Sequence, residues 1–403
     1  MNIAVMIKNI FGAIKQTKMK ILVIVVIAIV AIVAAILILG IVAIKYSLSE
    51  AVFYYKGETK DTKLFYIMPG KKAEYLLTIP SEESTDGKYK VPQNDYFSHD
   101  GKSLIYFKKI GEVPVESIKT EEGYTAYRKI YKPQLVDLKK NSVKEINQEL
   151  DSSRVVFSQD DTKIVWVMAV KESTFDELEQ SKRKREVWIS NPDGTNAKLL
   201  ATLDDKVVLL KEWNGDYIYF VGSRGIGYYN LGEINTKTGK VKYFQPKYCL
   251  EDLTNCKDFQ FYSSGELFIY QANIKDDKSE KIALFIESPD KEKSWQILVE
   301  NYISDKLFSS DGKSVIYTEQ INVSSSQFRE KIHLVNLGTS QDQEIYSGNY
   351  VSQIIPDKND DYLYFIEKET DEKFNLVRLN IQNKKADIID SGRYDDLKIF
   401  SGF

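Results

Sequence analysis

Two histidines and two cysteines are all that 403 residues contain of either type. Multi-histidine metal centres, four-thiolate zinc sites and a disulfide framework therefore fall away. No Gly-x-Ser-x-Gly elbow and no phosphate-cradling glycine loop occur. A basic stripe is missing as well. The net charge is −3, and Lys8, Lys15, Lys18 and Lys20 precede residue 45, so the remainder carries −7. A mildly acidic globular part argues against nucleic acid as a partner. No acidic residue occurs before Glu50, and long apolar runs are absent with one exception.

That exception is Ile21 to Ile44, 24 residues of Ile, Val, Ala and Leu with one Gly and no charge. At about 1.5 Å per residue it reaches roughly 36 Å, enough to cross a hydrocarbon core. A cleaved signal peptide would be shorter and followed by a small-residue site. The lysines before the run predict a cytoplasmic N-terminus and an extracytoplasmic remainder. The expected division is 1–20 cytoplasmic, 21–44 a single transmembrane helix at the cell membrane, and 45–403 outside. Residues 3–14 form either a short amphipathic helix on the inner leaflet or a frayed tail.

The rest is organised by a repeated phrase. Phe308-Ser309-Ser310-Asp311-Gly312-Lys313-Ser314-Val315-Ile316-Tyr317 reads as a strand end, a tight Asp-Gly turn and a strand of β-formers. It recurs as Phe97-Ser98-His99-Asp100-Gly101-Lys102-Ser103-Leu104-Ile105-Tyr106. An eroded copy is Phe157-Ser158-Gln159-Asp160-Asp161-Thr162-Lys163-Ile164-Val165-Trp166. Weaker copies begin near Lys211, Phe261 and Ile354, giving spacings of 60, 54, 50, 47 and 46 residues. Four-stranded propeller blades have this length. Polar insertions at 109–125 and 171–185 account for the two longest spacings. The basic run 182–185 within the second is a docking patch or a solvated loop. Each phrase is followed by a second hairpin, clearest at Trp188-Ile189-Ser190-Asn191-Pro192-Asp193-Gly194.

The ends supply one more blade. Ala51–Tyr55, Lys63–Ile67 and Glu74–Thr78 are three strands without a lead-in, and Leu397–Phe400 is a lead-in without a blade. Joined, they make an all-β, seven-bladed propeller of four-stranded blades, its ring closed by the terminal strands. Eight blades fit the length poorly, and six would leave the end strands unused.

These phrases resemble the WD40-like repeats of the TolB propeller, which also form the propellers of prolyl oligopeptidase and dipeptidyl peptidase IV; here they follow an N-terminal membrane anchor. The resemblance implies an extracytoplasmic scaffold, or a gate in front of a hydrolase. It assigns Asp100, Gly101, Asp160, Asp193, Gly194, Gly215, Gly265, Asp311 and Gly312 to turn structure rather than catalysis. A peptidase of this kind would add a hydrolase domain, for which there is neither room nor elbow.

Ser288-Pro289-Asp290 begins a degenerate Asp-box, read as an ordinary outer turn, and no carboxylate pair stands out for glycoside cleavage. Cys249 and Cys256 bracket a loop; outside the cell they would form a disulfide, and otherwise two buried thiols. His333 is expected as a packed or half-exposed core residue and His99 in solvent. Gly222–Gly227 reads as a loop between strands. Asn322-Val323-Ser324 is a glycosylation sequon of a kind that arises by chance. No catalytic residue, metal or cofactor is expected. The sequence points to a non-catalytic scaffold that binds a protein, peptide or polysaccharide through insertions at 109–125, 171–185 and 245–258. The alternatives are a glycosidase or lyase working in the propeller funnel, or an envelope-assembly component.

Overall fold

The structure is a computed structural model. It describes residues 50–401, apart from 58–60, 84–88, 91–95, 120–124, 147–154, 170–183, 206, 226–227, 250–254, 263–264, 276–279, 325–326 and 394–396. The expected transmembrane helix at 21–44 and the segment 1–20 lie outside the described residues. Among the described residues no helix is long and apolar enough to cross a membrane.

Seven four-stranded antiparallel sheets form the blades. Blade 1 joins Val52–Lys56, Asp61–Ile67 and Ala73–Pro80 to the C-terminal strand Leu397–Ser401. The register pairs Val52 with Ser401, Phe53 with Phe400 and Tyr54 with Ile399, so the two ends of the chain close the ring. Blades 2 to 7 are continuous in sequence. Their innermost strands are Tyr96–Phe97, Val155–Phe157, Val207–Asn214, Cys256–Phe261, Tyr302–Phe308 and Val351–Pro356. Each innermost strand lies against that of a neighbouring blade, and Leu397–Ser401 lies against Val351–Pro356. At the junction of blades 1 and 2, the Phe97 ring sits 4.4 Å from Phe53 and 5.5 Å from Phe400.

The core follows from this stacking. Each blade is covered on both faces, so its middle strands bury consecutive residues instead of alternating ones. Leu363, Tyr364, Phe365 and Ile366 are all fully buried, as are Val52, Phe53 and Tyr55. Apolar clusters fill the spaces between blades, for example Val167, Val187 and Ile189 of blade 3 against Val208, Leu210 and Phe220 of blade 4. Each such side chain contributes about 1.5–3 kcal/mol by leaving water. The outermost strands meet solvent, so Val143, Leu199, Leu298 and Ile388 stay exposed.

Up-and-down connectivity gives the disc two different faces. The turns from first to second strand and from third to fourth lie on one, here the turn face. The links from second to third strand, and from blade to blade, lie on the other, the connection face. The polar stretch 109–125, expected as a loop, is largely strand. Ser103–Lys119 and Thr125–Asp137 continue as a two-stranded ribbon to the pair Lys119–Thr125. Its sequence is rich in charged residues and so does not read as a half-buried strand. The insertion at 171–185 lies almost wholly outside the described residues. Ser223–Gly225, also expected as loop, still belongs to the strand Tyr217–Gly225.

Candidate functional site: the two faces of the propeller

On the turn face the repeat residues build a fixed frame. The serine of each phrase donates its hydroxyl to the aspartate two residues on: Ser98 to Asp100 at 2.9 Å, Ser158 to Asp160 at 2.7 Å, Ser309 to Asp311 at 2.8 Å. The same hydroxyl accepts the backbone N–H five residues on, at 2.9 Å in all three. Asp100 and Asp311 then each accept the N–H of the second residue beyond at 2.9 Å. Ser288 and Asp290 repeat the arrangement, which makes the Asp-box-like string an ordinary turn. These serines were the residues sequence reasoning passed over; their signal was the invariance of Phe-Ser before the turn. Asp193 is held down to about 2 by the Thr195 hydroxyl, the Lys144 ammonium and the Thr195 N–H.

Gly101, Gly194, Gly215, Gly265 and Gly312 all have positive φ. At Gly265 and Gly312 a side chain is excluded twice over. Besides the left-handed backbone, an added Cβ would stand 2.1 Å from the Tyr219 ring and 2.6 Å from the Tyr262 ring. The eroded third phrase puts Asp161 in the left-handed position, φ 57. Its carboxylate reaches the preceding blade and accepts the N–H groups of His99 and Asp100, both at 2.8 Å. Asp360 does the same for Ser310 at 2.8 Å.

His99 is consequently not in open solvent, as its variable turn position suggested. It is half-buried, with Nδ1 3.0 Å from Asp161. Burial works against its charge, but the hydrogen bond and charge of Asp161, joined by the charge of Glu212, outweigh it and raise the imidazole above its ordinary value. Glu212, on the innermost strand of blade 4, is pushed up to about 7 by burial, partly offset by His99. His333, by contrast, stacks on Tyr317 at 4.7 Å and places Nδ1 2.9 Å from Asp342, out on blade 6.

A second polar zone rings the axis nearer the connection face. Four consecutive innermost strands carry a bulge, between Leu210 and Glu212, Lys257 and Gln260, Ile303 and Asp305, and Ser352 and Ile355. A bulge re-aims side chains and frees backbone groups. Here the bulged residues reach the next blade. Asp258, with φ 56, stands 3.8 Å from Lys306 Nζ. Asp305 accepts the Ile354 N–H at 3.3 Å, and Gln353 accepts the Ile399 N–H at 3.1 Å. Burial pushes Asp305 up, against the hydrogen bonds it receives. Behind it the buried Glu330 accepts the Val351 N–H at 2.5 Å and is raised by the same burial. Lys306, 3% exposed, is pushed down to about 8 by burial, with Asp258 and Asp305 opposing.

On the connection face Cys249 and Cys256 form a disulfide with a Cα separation of 5.7 Å. Tyr248 beside it stacks 4.2 Å from Phe285, and Lys247 lies over the Tyr248 ring. Among the described residues no group of three His, Cys, Asp or Glu side chains could hold a metal ion.

No protein-family model matches the chain, and no curated protein matches it. Solved structures do. An oligogalacturonate lyase in complex with manganese has a TM-score of 0.53 at 10% identity, over 78% of this chain and 87% of that one. A prolyl endopeptidase gives 0.55 at 9% identity, over 89% of this chain but 52% of the other, about half its length. TolB from Acinetobacter baumannii gives 0.43 at 11% identity, over 86% and 82%, too distant to support more than its mention as a neighbour. Identities this low establish the propeller fold alone.

Proposed function

We propose that this chain is a single-pass membrane protein that displays its propeller outside the cell as a non-catalytic binding scaffold. Its partner, a protein, peptide or polysaccharide, docks on the connection face. One observation carries the reading. The extended ribbon, the disulfide loop and the links between blades all fall on the connection face, while the chain enters at Val52, paired with Ser401, on the turn face. Variable connections on a rigid frame are where recognition usually resides. The Cys249–Cys256 bond suits an oxidising compartment, in keeping with the extracytoplasmic placement. The apolar run 21–44, preceded only by basic charge, supports the anchor.

The test is photo-crosslinking in the native host. Crosslinkers at Tyr248, Asn301 and Tyr350 sample the connection face; crosslinkers at Thr195, Thr238 and Asn383 sample the turn face. A discrete adduct from the first set and none from the second is expected. Adducts confined to the turn face would overturn the reading.

An enzyme acting in the funnel is the second reading, favoured by one observation: His99 on the turn face sits 3.0 Å from Asp161, with the charge of Glu212 bearing on it, an ionisable cluster of the kind acid–base chemistry uses. The lyase likeness is compatible with it at the level of fold. Turnover of an acidic oligosaccharide that is lost in His99→Gln would establish it.

A further inference from the structure

The links into blades 6 and 7, on the connection face, repeat a tetrapeptide: Asn301-Tyr302-Ile303-Ser304 and Asn349-Tyr350-Val351-Ser352. In both, the third residue is the anchor and the second points outward, as strand alternation requires. Ile303 and Val351 are each 1% exposed, whereas Tyr302 is 48% and Tyr350 40% exposed. The residue before each tyrosine is pinned by a glutamate on the second strand of its own blade. Glu319 accepts the Asn301 N–H at 3.2 Å, and Glu367 accepts the Asn349 N–H at 3.1 Å. The two tyrosines stand at one height. Tyr302, Gln320 and Glu330 form a cross-strand row of blade 6, and the Glu330 carboxylate accepts the N–H of Val351, next to Tyr350. The innermost strands of the two blades lie against each other, which sets the tyrosine backbones on the order of 10 Å apart.

A held backbone under an exposed ring is a pre-organised platform, which loses little freedom on binding. Its chemistry is mixed. Each ring has an asparagine beside it, whose amide offers donors and an acceptor together; Asn349 is exposed and Asn301 half-buried. Lys257, exposed at the start of blade 5, holds its ammonium over the Tyr302 ring at 5.2 Å. Among the described residues no carboxylate lies within 4 Å of that ammonium. A sugar ring has an apolar C–H face and a rim of hydroxyls, and a sugar acid adds a carboxylate at the rim. Aromatic ring, amide and ammonium match those three features in turn. A proline-rich peptide would use the rings without the ammonium, and an acidic peptide the ammonium without the rings.

We infer that Tyr302 and Tyr350, with Asn301, Asn349 and Lys257, form a binding site for an acidic polysaccharide laid across blades 6 and 7. The inference rests on the connection face being the docking face and narrows its partner to a carboxylated glycan.

Isothermal titration of the detergent-solubilised full chain tests it, with alginate and hyaluronate as uronate polymers and with dextran, poly-proline and poly-glutamate as controls. At least one uronate polymer should bind, and more tightly than any control. Tyr302→Ala and Tyr350→Ala should each weaken that binding about tenfold, the loss of one aromatic anchor. Lys257→Gln should weaken it about threefold at low salt and flatten its salt dependence. All three side chains are exposed, so these variants keep the fold, and an unchanged urea midpoint checks this. Tyr217 is equally exposed on the turn face, and Tyr217→Ala should bind like the parent. No uronate binding, dextran binding as tightly, or binding unchanged in Tyr302→Ala overturns the inference, as does poly-proline or poly-glutamate binding in place of the uronates. Crosslinks on the connection face without uronate binding would remove this inference and leave the scaffold reading; crosslinks confined to the turn face would remove both.

Discussion

The turn face and the connection face are made by the same repeat, yet they spend their residues differently. On the turn face polar side chains point back at the chain that carries them: Ser309 to Asp311, Asp161 to the amides of His99 and Asp100. Little is left to offer a partner. On the connection face the chain runs out into a ribbon ending at Lys119 and Thr125 and a disulfide loop that no blade requires. The contrast teaches where sequence can vary. The turn face is fixed residue by residue, whereas the connection face, though tied between blades by Asp305 and Glu330, leaves the length of its links free to vary.

Substitutions should separate the faces by size of effect. Gly265→Ala on the turn face combines a left-handed backbone with a clash on Tyr219, and should cost about 3 kcal/mol by urea denaturation. Breaking the disulfide with Cys249→Ser and Cys256→Ser should cost about 2.5 kcal/mol, through a looser unfolded chain. That value would be the connection face's largest contribution; a cost above the Gly265 variant's would dissolve the contrast. Ser309→Ala removes a donor to Asp311 and an acceptor of the Ser314 N–H, for about 1–2 kcal/mol. Replacing residues 112–129 with Asn-Gly, which rejoins the ribbon at the Gly111–Ile130 pair, should change stability by less than about 0.5 kcal/mol.

Acidity sharpens the comparison further. The raised imidazole of His99 means that its contact with Asp161 stabilises fully below the ordinary histidine value, and that this increment is lost as pH rises through the folded value. NMR titration should place His99 above about 6.5, and Asp161→Asn should bring it down. A His99 that titrates below that value would show that burial, not the latch, governs the site.

Much of the fold is legible in the sequence. Asp311-Gly312 and its copies located the turns because only a few residues accept a left-handed backbone. The unmatched strands at 51–80 and 397–400 foretold the closure, since a sheet edge needs a partner. The latches were not legible. Asp161 looked like decay of an Asp-Gly pair, whereas its carboxylate ties two blades together. The contacts of Asp258 and Asp305 were hidden for a different reason: each bulge breaks the two-residue period, so the strand pattern cannot say which side chains reach the next blade. The ribbon past Lys109 escaped because its stretch is rich in charged residues, which read as a loop.

Both faces exist only if the ring is closed by the ends of the chain. Hydrogen exchange on the full protein tests this most directly. The peptides covering Val52–Lys56 and Leu397–Ser401 should be protected together, exchanging only as fast as the central strands of blade 6. Exchange of Leu397–Ser401 within seconds, with Val52–Lys56 still protected, would contradict the account.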